Sequence, residues 1–335
     1  MGGGPLTRVV ENNFRWPLGV QPPKPAQLLA IYQAGFVGCH VDPAEDERLF
    51  SAGVLQTFSQ ACPHLRDLHK QADRQLAPLF LAREQLDPGA FGDEAQTTGD
   101  CVSHGDRNAR DVSRSVEIVS KGEPEIYFAR GATEPTYGYR GHGGQGMNPA
   151  RATEFVTRYG MMFRVDYPGL VDLSRYDSSI GARWGRGGVP SAIREKCAEH
   201  PVGRYIVPES LEEACDLLAA GYACHSGQNV GFRSTPNSQG YHPIAGRWNH
   251  DMATLGMDLT KDVWPVPVVF VQNSWGDFNT QPTDRYQARN WPRIPGAIVA
   301  RADDWWELFG TMYFYADVAG VPAKKLPDWG SHLYL

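Results

Sequence analysis

The pattern of hydrophobic and polar positions predicts one long helix that begins near residue 101. The loop before it ends in Thr98, Gly99 and Asp100. A side-chain oxygen of Thr98 or Asp100 is suited to accept a hydrogen bond from a first-turn N–H, as an N-cap does. Cys101 therefore lies in the first turn. Apolar residues then recur at intervals of seven, three, four and three, which is the spacing of one helix face: they are Val102, Ala109, Val112, Val116 and Val119.

The rest of the chain divides into a helical part and a part made mostly of short strands. Helical patterns continue to about residue 205. Beyond it, short apolar runs at 266–271, 297–300 and 312–315 are rich in β-branched and aromatic residues, which is typical of strands. The pattern predicts an α+β domain over residues 93–320, with a helical half at about 93–205 and a β half at about 206–320. Residues 321–335 form a tail.

Residues 1–92 do not continue this pattern. Residues 13–25 are rich in proline and aromatic residues, which predicts an extended arm. Residues 49–86 carry apolar residues near helical spacing, interrupted by Pro63 and Pro78. Two interpretations stay open: a propeptide-like segment that is removed, or a fixed accessory segment that docks onto a larger assembly. In both, residues 82–92 serve as the link.

Composition and charge narrow the class of protein and of partner. The 335 residues include 41% hydrophobic and 21% charged residues, as in soluble globular domains. A formal net charge of −6 argues against nucleic acid as the main partner. No apolar run approaches the length of a membrane span, and no secretory signal is visible. We therefore expect a protein of the cytoplasm or of a large assembly such as a virion, without a membrane partner.

The six cysteines lie far apart in the sequence, so reduced thiols are the default expectation. Pairing of Cys39 with Cys62 is the alternative if the protein matures outside the cytosol. Cys101 is the candidate nucleophile, because the helix dipole and the unpaired first-turn N–H groups lower the pKa of a thiol placed there. Gln96, five residues upstream, brings a side-chain amide. A backbone N–H together with a Gln amide is suited to hold the oxyanion of acyl transfer.

Two segments far downstream supply a base and its partner. His250 lies in a strand-like segment, and Asn273 follows the apolar run at 266–271. A cysteine, a histidine and an asparagine in this order make a triad, in which the histidine takes the thiol proton and the asparagine fixes the imidazole tautomer. The separations from Cys101 are close to those of papain-type enzymes.

With these residues the chain resembles the papain-like cysteine peptidases over about residues 96–316. Asn273 is followed by Ser274, Trp275 and Gly276, as in the family. The resemblance implies that Trp275 shields the bond between His250 and Asn273 from water. It also implies a papain-like fold, in which a helical half with the nucleophile packs on an antiparallel β-barrel half that carries the histidine and the asparagine.

Two intervening segments are similar to the family in the same order. Gly143 and Gly144 lie in a glycine-rich stretch that runs into a helix, and they resemble the wall of the substrate cleft. Residues 210–223 resemble the short helix, glycine and strand that enter the β half. The resemblance implies hydrolysis of peptide or isopeptide bonds in a peptide or protein substrate, without a metal or organic cofactor. The site residues that it implies are Cys101, His250, Asn273 and Gln96.

Acidic residues beside the nucleophile and the base depart from the family pattern. Asp100 precedes Cys101, and Asp251 follows His250. Adjacent residues of a strand point to opposite faces, so we expect Asp251 to point away from the cleft and to act weakly. We expect the Asp100 carboxylate to be used as a helix cap. The gap from Gln96 to Cys101 is also one residue shorter than is typical of the family.

Two alternatives belong to other classes of protein. The first is a papain-fold structural subunit of a phage virion or another large assembly, with weak or no activity, which would dock through the N-terminal arm. The second is a zinc site built from Cys101, His104, Cys224 and His225. It is the weaker alternative, because these residues lack the two closely spaced pairs typical of structural zinc. We expect His104 at the surface or behind the site.

Overall fold

The computed structural model describes residues 38–121, 128–316, 319–327 and 329. Helices and strands both contribute to the core in this part of the chain, which confirms the predicted α+β class. The helices are α1 Pro43–Ser51, α2 Phe58–Ala61, α3 Phe80–Leu86, α4 Ala90–Asp93, α5 Cys101–Lys121, α6 Glu134–Gly138, α7 Pro149–Tyr159, α8 Ser178–Gly187, α9 Ser191–Cys197, α10 Leu211–Ala219, α11 Thr283–Ala288 and α12 Ala302–Leu308. The strands are β1 Leu55–Thr57, β2 Leu76–Ala77, β3 Asp166–Tyr167, β4 Val171–Asp172, β5 Arg204–Val207, β6 Cys224–Gln228, β7 His250–Asp258, β8 Val268–Gln272, β9 Ala297–Arg301 and β10 Phe309–Ala316.

Eight strands form one sheet, in the order β1-β5-β10-β6-β7-β8-β9, with β2 paired to β7 beside this path. Neighbouring strands are antiparallel except for β1 and β5, which are parallel. In the pairing of β6 with β7, Gln228 lies opposite His250 and Gly227 opposite Asp251. The sheet therefore carries the predicted base at the first residue of a strand that has neighbours on both sides.

The long predicted helix is α5, which has 21 residues and begins at Cys101. Its apolar residues Ala109, Val112 and Val116 are fully buried in the main core, as their spacing predicts. At Gly105 the helix comes so close to β7 that an added Cβ would lie 2.0 Å from Oδ1 of Asp251. This close approach holds the start of α5, with Cys101, against the start of β7.

Residues 43–93 belong to the same core and do not form a separate arm. β1 pairs with β5, and β2 pairs with β7. Helix α3 packs against α5 and buries its first three residues completely. Residues 82–92, which the sequence predicts as a link, include parts of the short helices α3 and α4, and Ala82, Arg83, Ala90 and Phe91 among them are buried. The predicted arm at residues 13–25 lies outside the described residues, as do residues 330–335 of the predicted tail.

Within the described ranges, no helix combines the length and the apolar character that crossing a membrane requires.

Candidate active site

His250 and Asn273 meet at one end of the sheet. His250 is the first residue of β7, and Asn273 follows β8 directly. Nε2 of His250 lies 2.9 Å from Oδ1 of Asn273. Nδ2 of Asn273 donates to Oδ1 of Asn279 at 3.0 Å, which fixes the orientation of the Asn273 amide. Since the amide oxygen can only accept, the imidazole carries its proton on Nε2, and Nδ1 presents a lone pair.

Trp275 covers this hydrogen bond. Its ring stacks on the His250 imidazole, with centroids 4.5 Å apart and planes inclined by 29°. Trp248 packs behind it, with its ring centroid 4.8 Å from that of Trp275. The side chains of His250, Asn273 and Trp275 are all at most 1% exposed. The two tryptophan rings therefore exclude water from the hydrogen bond between His250 and Asn273, and a hydrogen bond in such an environment is stronger than one in water.

Cys101 lies beside the start of β7 but does not bond to the imidazole. Its side chain is fully buried, and the backbone N–H groups of Asp251, the residue after His250, and of Val102 act on the thiol and lower its pKa. Nδ1 of His250 has no hydrogen-bond partner among the described residues. The start of α5, with Cys101, thus lies beside the start of β7, with His250, and the thiol lies near the backbone of Asp251.

The electrostatics of this closed site favour two neutral groups. Burial raises the pKa of the Cys101 thiol well above its usual value, and the negative charge of Asp251 raises it further. Burial lowers the pKa of His250 to about 3, although its bond to Asn273 acts in the opposite direction. The predicted lowering of the Cys101 pKa is therefore wrong for this state, because desolvation outweighs the helix N-terminus.

Gln96 is joined to the segment that carries Asn273. Its backbone N–H donates to the carbonyl of Ser274 at 2.8 Å, and the Ser274 hydroxyl donates to Oε1 of Gln96. Nε2 of Gln96 donates to the carbonyl of Thr98 at 2.8 Å. The oxygen of the amide is thus held toward Ser274, while its NH₂ group faces the loop that leads into Cys101.

The glycine-rich stretch contacts the nucleophile loop through other residues than predicted. Gly143 and Gly144 are exposed. Gln145 accepts hydrogen bonds at Oε1 from the backbone N–H of Gly99 at 2.7 Å, from the Tyr137 hydroxyl at 3.2 Å and from the Thr98 hydroxyl. The N–H of Gly146 donates to the carbonyl of Gly99 at 3.1 Å. Sequence reasoning missed Gln145, because a polar residue in a loop without periodicity carries no signal of its partners.

A segment from the N-terminal region lies between this stretch and the sheet. The N–H of His40 donates to the Met147 carbonyl at 3.0 Å, and the N–H of Met147 donates to the Gly38 carbonyl at 3.3 Å. On the other side, a Cβ added at Gly227 of β6 would lie 2.5 Å from Sγ of Cys39. Residues 38–41, which we call the N-terminal strap, therefore fill the space between the helical half and β6.

Asp100 differs from the expectation in its partners, and Asp251, expected to act weakly, has the largest effect among the charges that raise the pKa of Cys101. The Asp100 carboxylate accepts a hydrogen bond from the Tyr176 hydroxyl at 2.7 Å and lies 3.5 Å from Nε2 of His104, so its described partners are side chains and not first-turn N–H groups. His104 is fully buried. Asp251 is also buried, and its Oδ2 lies 3.1 Å from Nδ1 of His225. The face of β7 opposite His250 is therefore interior, since every residue of that strand is buried.

All six cysteines are free thiols, so Cys39 and Cys62 are not joined. Across the described ranges, no group of three or more His, Cys, Asp or Glu side chains is arranged to hold a metal ion. The zinc alternative from Cys101, His104, Cys224 and His225 finds no support there.

Comparison with known proteins gives likenesses of fold at low sequence identity. No protein-family model matches the chain, and no curated protein matches it. Among solved structures, xylellain, a cysteine protease from Xylella fastidiosa, is 12% identical, with a TM-score of 0.45 over 67% of this chain and 82% of that one. Procathepsin B S9 from Trypanosoma congolense is 11% identical, with a TM-score of 0.40 over 70% of this chain and 75% of that one. Digestive procathepsin L 3 of the Tenebrio molitor larval midgut is 12% identical, with a TM-score of 0.38 over 88% of this chain and 90% of that one.

Proposed function

We propose that this protein is a cysteine peptidase that hydrolyses peptide or isopeptide bonds, with Cys101 as nucleophile and His250 as base. One observation carries the proposal. The hydrogen bond from His250 to Asn273, fixed by Asn279 and covered by Trp275, leaves Nδ1 as a lone-pair acceptor without a partner among the described residues, and β7 begins beside the helix that bears Cys101.

The first step is proton transfer from Cys101 to His250. For this the Cys101 side chain must turn from the backbone N–H of Asp251 toward Nδ1. Burial holds the two pKa values in the order that opposes transfer. The site must therefore open and admit water or substrate before the thiolate and the imidazolium can form.

Release of the N-terminal strap is the opening that best fits this requirement. The backbone of the strap pairs with Met147, which lies next to the residues that are hydrogen-bonded to the loop before Cys101. The strap also fills the space beside β6. An extended peptide substrate could pair with the same N–H and C=O groups of Met147 once the strap has left. We therefore place the substrate backbone along residues 145–147, next to the predicted Gly143 and Gly144.

Attack of the thiolate on the substrate carbonyl produces an oxyanion that needs donors. The N–H of Cys101, in the first turn of α5, has no partner within its own helix. Nε2 of Gln96 gives one proton to Thr98 and has a second to offer. The imidazolium then protonates the leaving amine, and water hydrolyses the thioester with His250 again as base.

Covalent labelling of the intact, reduced protein by the epoxide E-64, followed by mass-spectrometric mapping, tests the proposal. We expect one adduct, on Cys101. His250→Ala should remove it, because the thiol then lacks its base, whereas Cys215→Ala, a change at a buried thiol in α10, should leave it intact. Labelling of other cysteines at equal rates would contradict the proposal. So would the absence of both labelling and turnover with peptide and isopeptide substrates.

A further inference from the structure

His225 and Asp251 form a second pair of titratable residues near Cys101, and the proposed reaction does not use them. Nδ1 of His225 in β6 lies 3.1 Å from Oδ2 and 3.3 Å from Oδ1 of Asp251 in β7. The two side chains are 0% and 1% exposed. A histidine and a carboxylate buried together in a sheet cost desolvation energy, so their retention calls for a reason beyond packing.

The pair touches the nucleophile through Asp251. The backbone N–H of Asp251, like that of Val102, acts on the Cys101 thiol and lowers its pKa. The carboxylate of Asp251 packs against Gly105, one turn along α5 from Cys101. Among the charges that act on the thiol, Asp251 has the largest effect. A change in the charge of Asp251, which His225 contacts directly, therefore changes the pKa of the thiol.

Other titratable and charged groups surround the pair from every side. Arg110 and Asp106 on α5 lie 2.9 Å apart and balance each other, and Asp106 is also 4.0 Å from Nε2 of His225. The Tyr313 ring of β10 stacks on His225 at 5.1 Å, with its hydroxyl bonded to Asp46 of α1. The remaining groups that face the pair are Cys39 of the strap, Cys101 of α5, Tyr205 of β5 and Cys224 of β6.

A histidine and an aspartate that share one proton have no net charge, wherever that proton lies. Removal of the histidine leaves an acid that becomes negative as the pH rises. Removal of the acid leaves a histidine that becomes positive as the pH falls, with the Asp106 carboxylate 4.0 Å from its Nε2 to favour the charge. These two changes act on a neighbouring thiolate in opposite directions, since a negative charge opposes it and a positive charge favours it.

We propose that the buried pair of His225 and Asp251 sets the reactivity of Cys101 by keeping the charge beneath the thiol at zero. His225 acts through Asp251 and is a positioning residue. This inference rests on the proposed function in that it takes Cys101 as the reacting thiol. It adds that His225 of β6 and Asp251 of β7, on the face of the sheet opposite the imidazole, control the pKa of that thiol.

The test compares near-isosteric variants of both members in the full-length reduced protein. The readout is the pH dependence of Cys101 alkylation by iodoacetamide, mapped by mass spectrometry, together with the ultraviolet absorbance of the thiolate relative to a Cys101→Ser protein. Asp251→Asn should raise the alkylation rate near neutral pH by about tenfold, and His225→Gln should lower it by about tenfold, one pKa unit in each direction. The double variant, neutral again, should return toward the wild-type rate.

Opposite signs separate this role from a structural one, because loss of packing would change both single variants in the same direction. His242→Gln is the matched control, since His242 is a buried histidine that bonds only to the backbone of Thr280 and Val299 within the described residues. It should leave the thiol titration unchanged. Equal signs for the two single variants, or a fall in rate for Asp251→Asn alone if His225→Gln does not fold, would overturn the inference.

The readout does not depend on turnover. Suppose that wild type has no peptidase activity but that the alkylation rate of Cys101 shifts in opposite directions in the two variants. The proposed function is then rejected and the inference is kept. If wild type turns over substrate but the alkylation rates of the two variants equal that of wild type, the inference is rejected and the proposed function is kept.

Discussion

At the scale of single residues, Asn279 has a role that sequence reasoning did not find. It accepts from Nδ2 of Asn273 and so points the other end of that amide at His250. Asn273 could be identified because it ends an apolar strand and precedes Ser274, Trp275 and Gly276. Asn279 lies in a loop where no periodicity indicates which polar side chains meet.

We expect Asn279→Ala to lower kcat/KM by about fivefold, because loss of one buried hydrogen bond of about 1 kcal/mol frees the Asn273 amide to rotate. Asn279→Asp keeps an oxygen acceptor and should retain most of the activity. The check is kcat/KM for both variants with a peptide substrate on which wild type is active. Equal losses in the two variants would show that the acceptor is not what matters.

The lowered pKa of His242 predicts how the free energy of unfolding depends on pH. Burial lowers its pKa to about 4, below the value of about 6.5 for an unfolded chain. The unfolded state therefore binds a proton first as the pH falls, and the stability present at neutral pH is lost on acidification through this interval. Between about pH 7 and about pH 5 this residue alone should account for a loss of about 2 kcal/mol.

Urea unfolding at the two pH values, for wild type and His242→Gln, measures this contribution as a difference. Gln retains a donor for the Thr280 carbonyl and an acceptor for the Val299 N–H. On acidification from about pH 7 to about pH 5, the free energy of unfolding of His242→Gln should therefore fall by about 2 kcal/mol less than that of wild type. An identical pH dependence in both proteins would contradict the assignment.

At the scale of elements, the contact of α5 with β7 decides the geometry of the candidate site. The sequence predicted α5 well, since its apolar residues repeat over five turns. It did not predict the burial of Asp251, because a strand covered on both faces has no solvent side and alternation then says little about exposure. Likewise the short elements at residues 55–86 gave an ambiguous pattern, because their burial comes from pairing with distant strands.

Gly105→Ala should separate α5 from β7. Its Cβ would collide with Oδ1 of Asp251 at 2.0 Å, and overpacking of this kind costs about 1–3 kcal/mol. Gly187→Ala, at the exposed end of α8 with no atom within 4 Å of the added Cβ, is the matched control and should be nearly neutral. Thermal unfolding and the Cys101 labelling rate measure the two effects. Equal stability of the two variants would contradict the described close approach.

At the scale of the whole molecule, the N-terminal region is part of the domain as far back as α1. A cut near Phe91, as a removable propeptide ending at residue 92 would require, would detach β2 and α3 from the core, and both contribute fully buried residues. Self-processing that leaves an intact domain must therefore cleave before Pro43. The strap at residues 38–41 is the part of the described chain whose departure changes the site without dismantling the core.

His40→Pro tests whether the strap controls access to Cys101. Proline removes the N–H that His40 donates to the Met147 carbonyl at 3.0 Å. His40→Ala keeps this N–H and loses the contacts of the ring, which are with the Gln145 carbonyl at 3.4 Å and edge-on with the His142 ring at 6.0 Å. Loss of one backbone hydrogen bond of about 1 kcal/mol should increase the open population, and with it the rate of Cys101 labelling, by about fivefold. The rate for His40→Ala should stay near that of wild type. If both variants label at the wild-type rate, the thiol is reached by another route, and opening must be sought at the aromatic cover formed by Trp275 and Trp248.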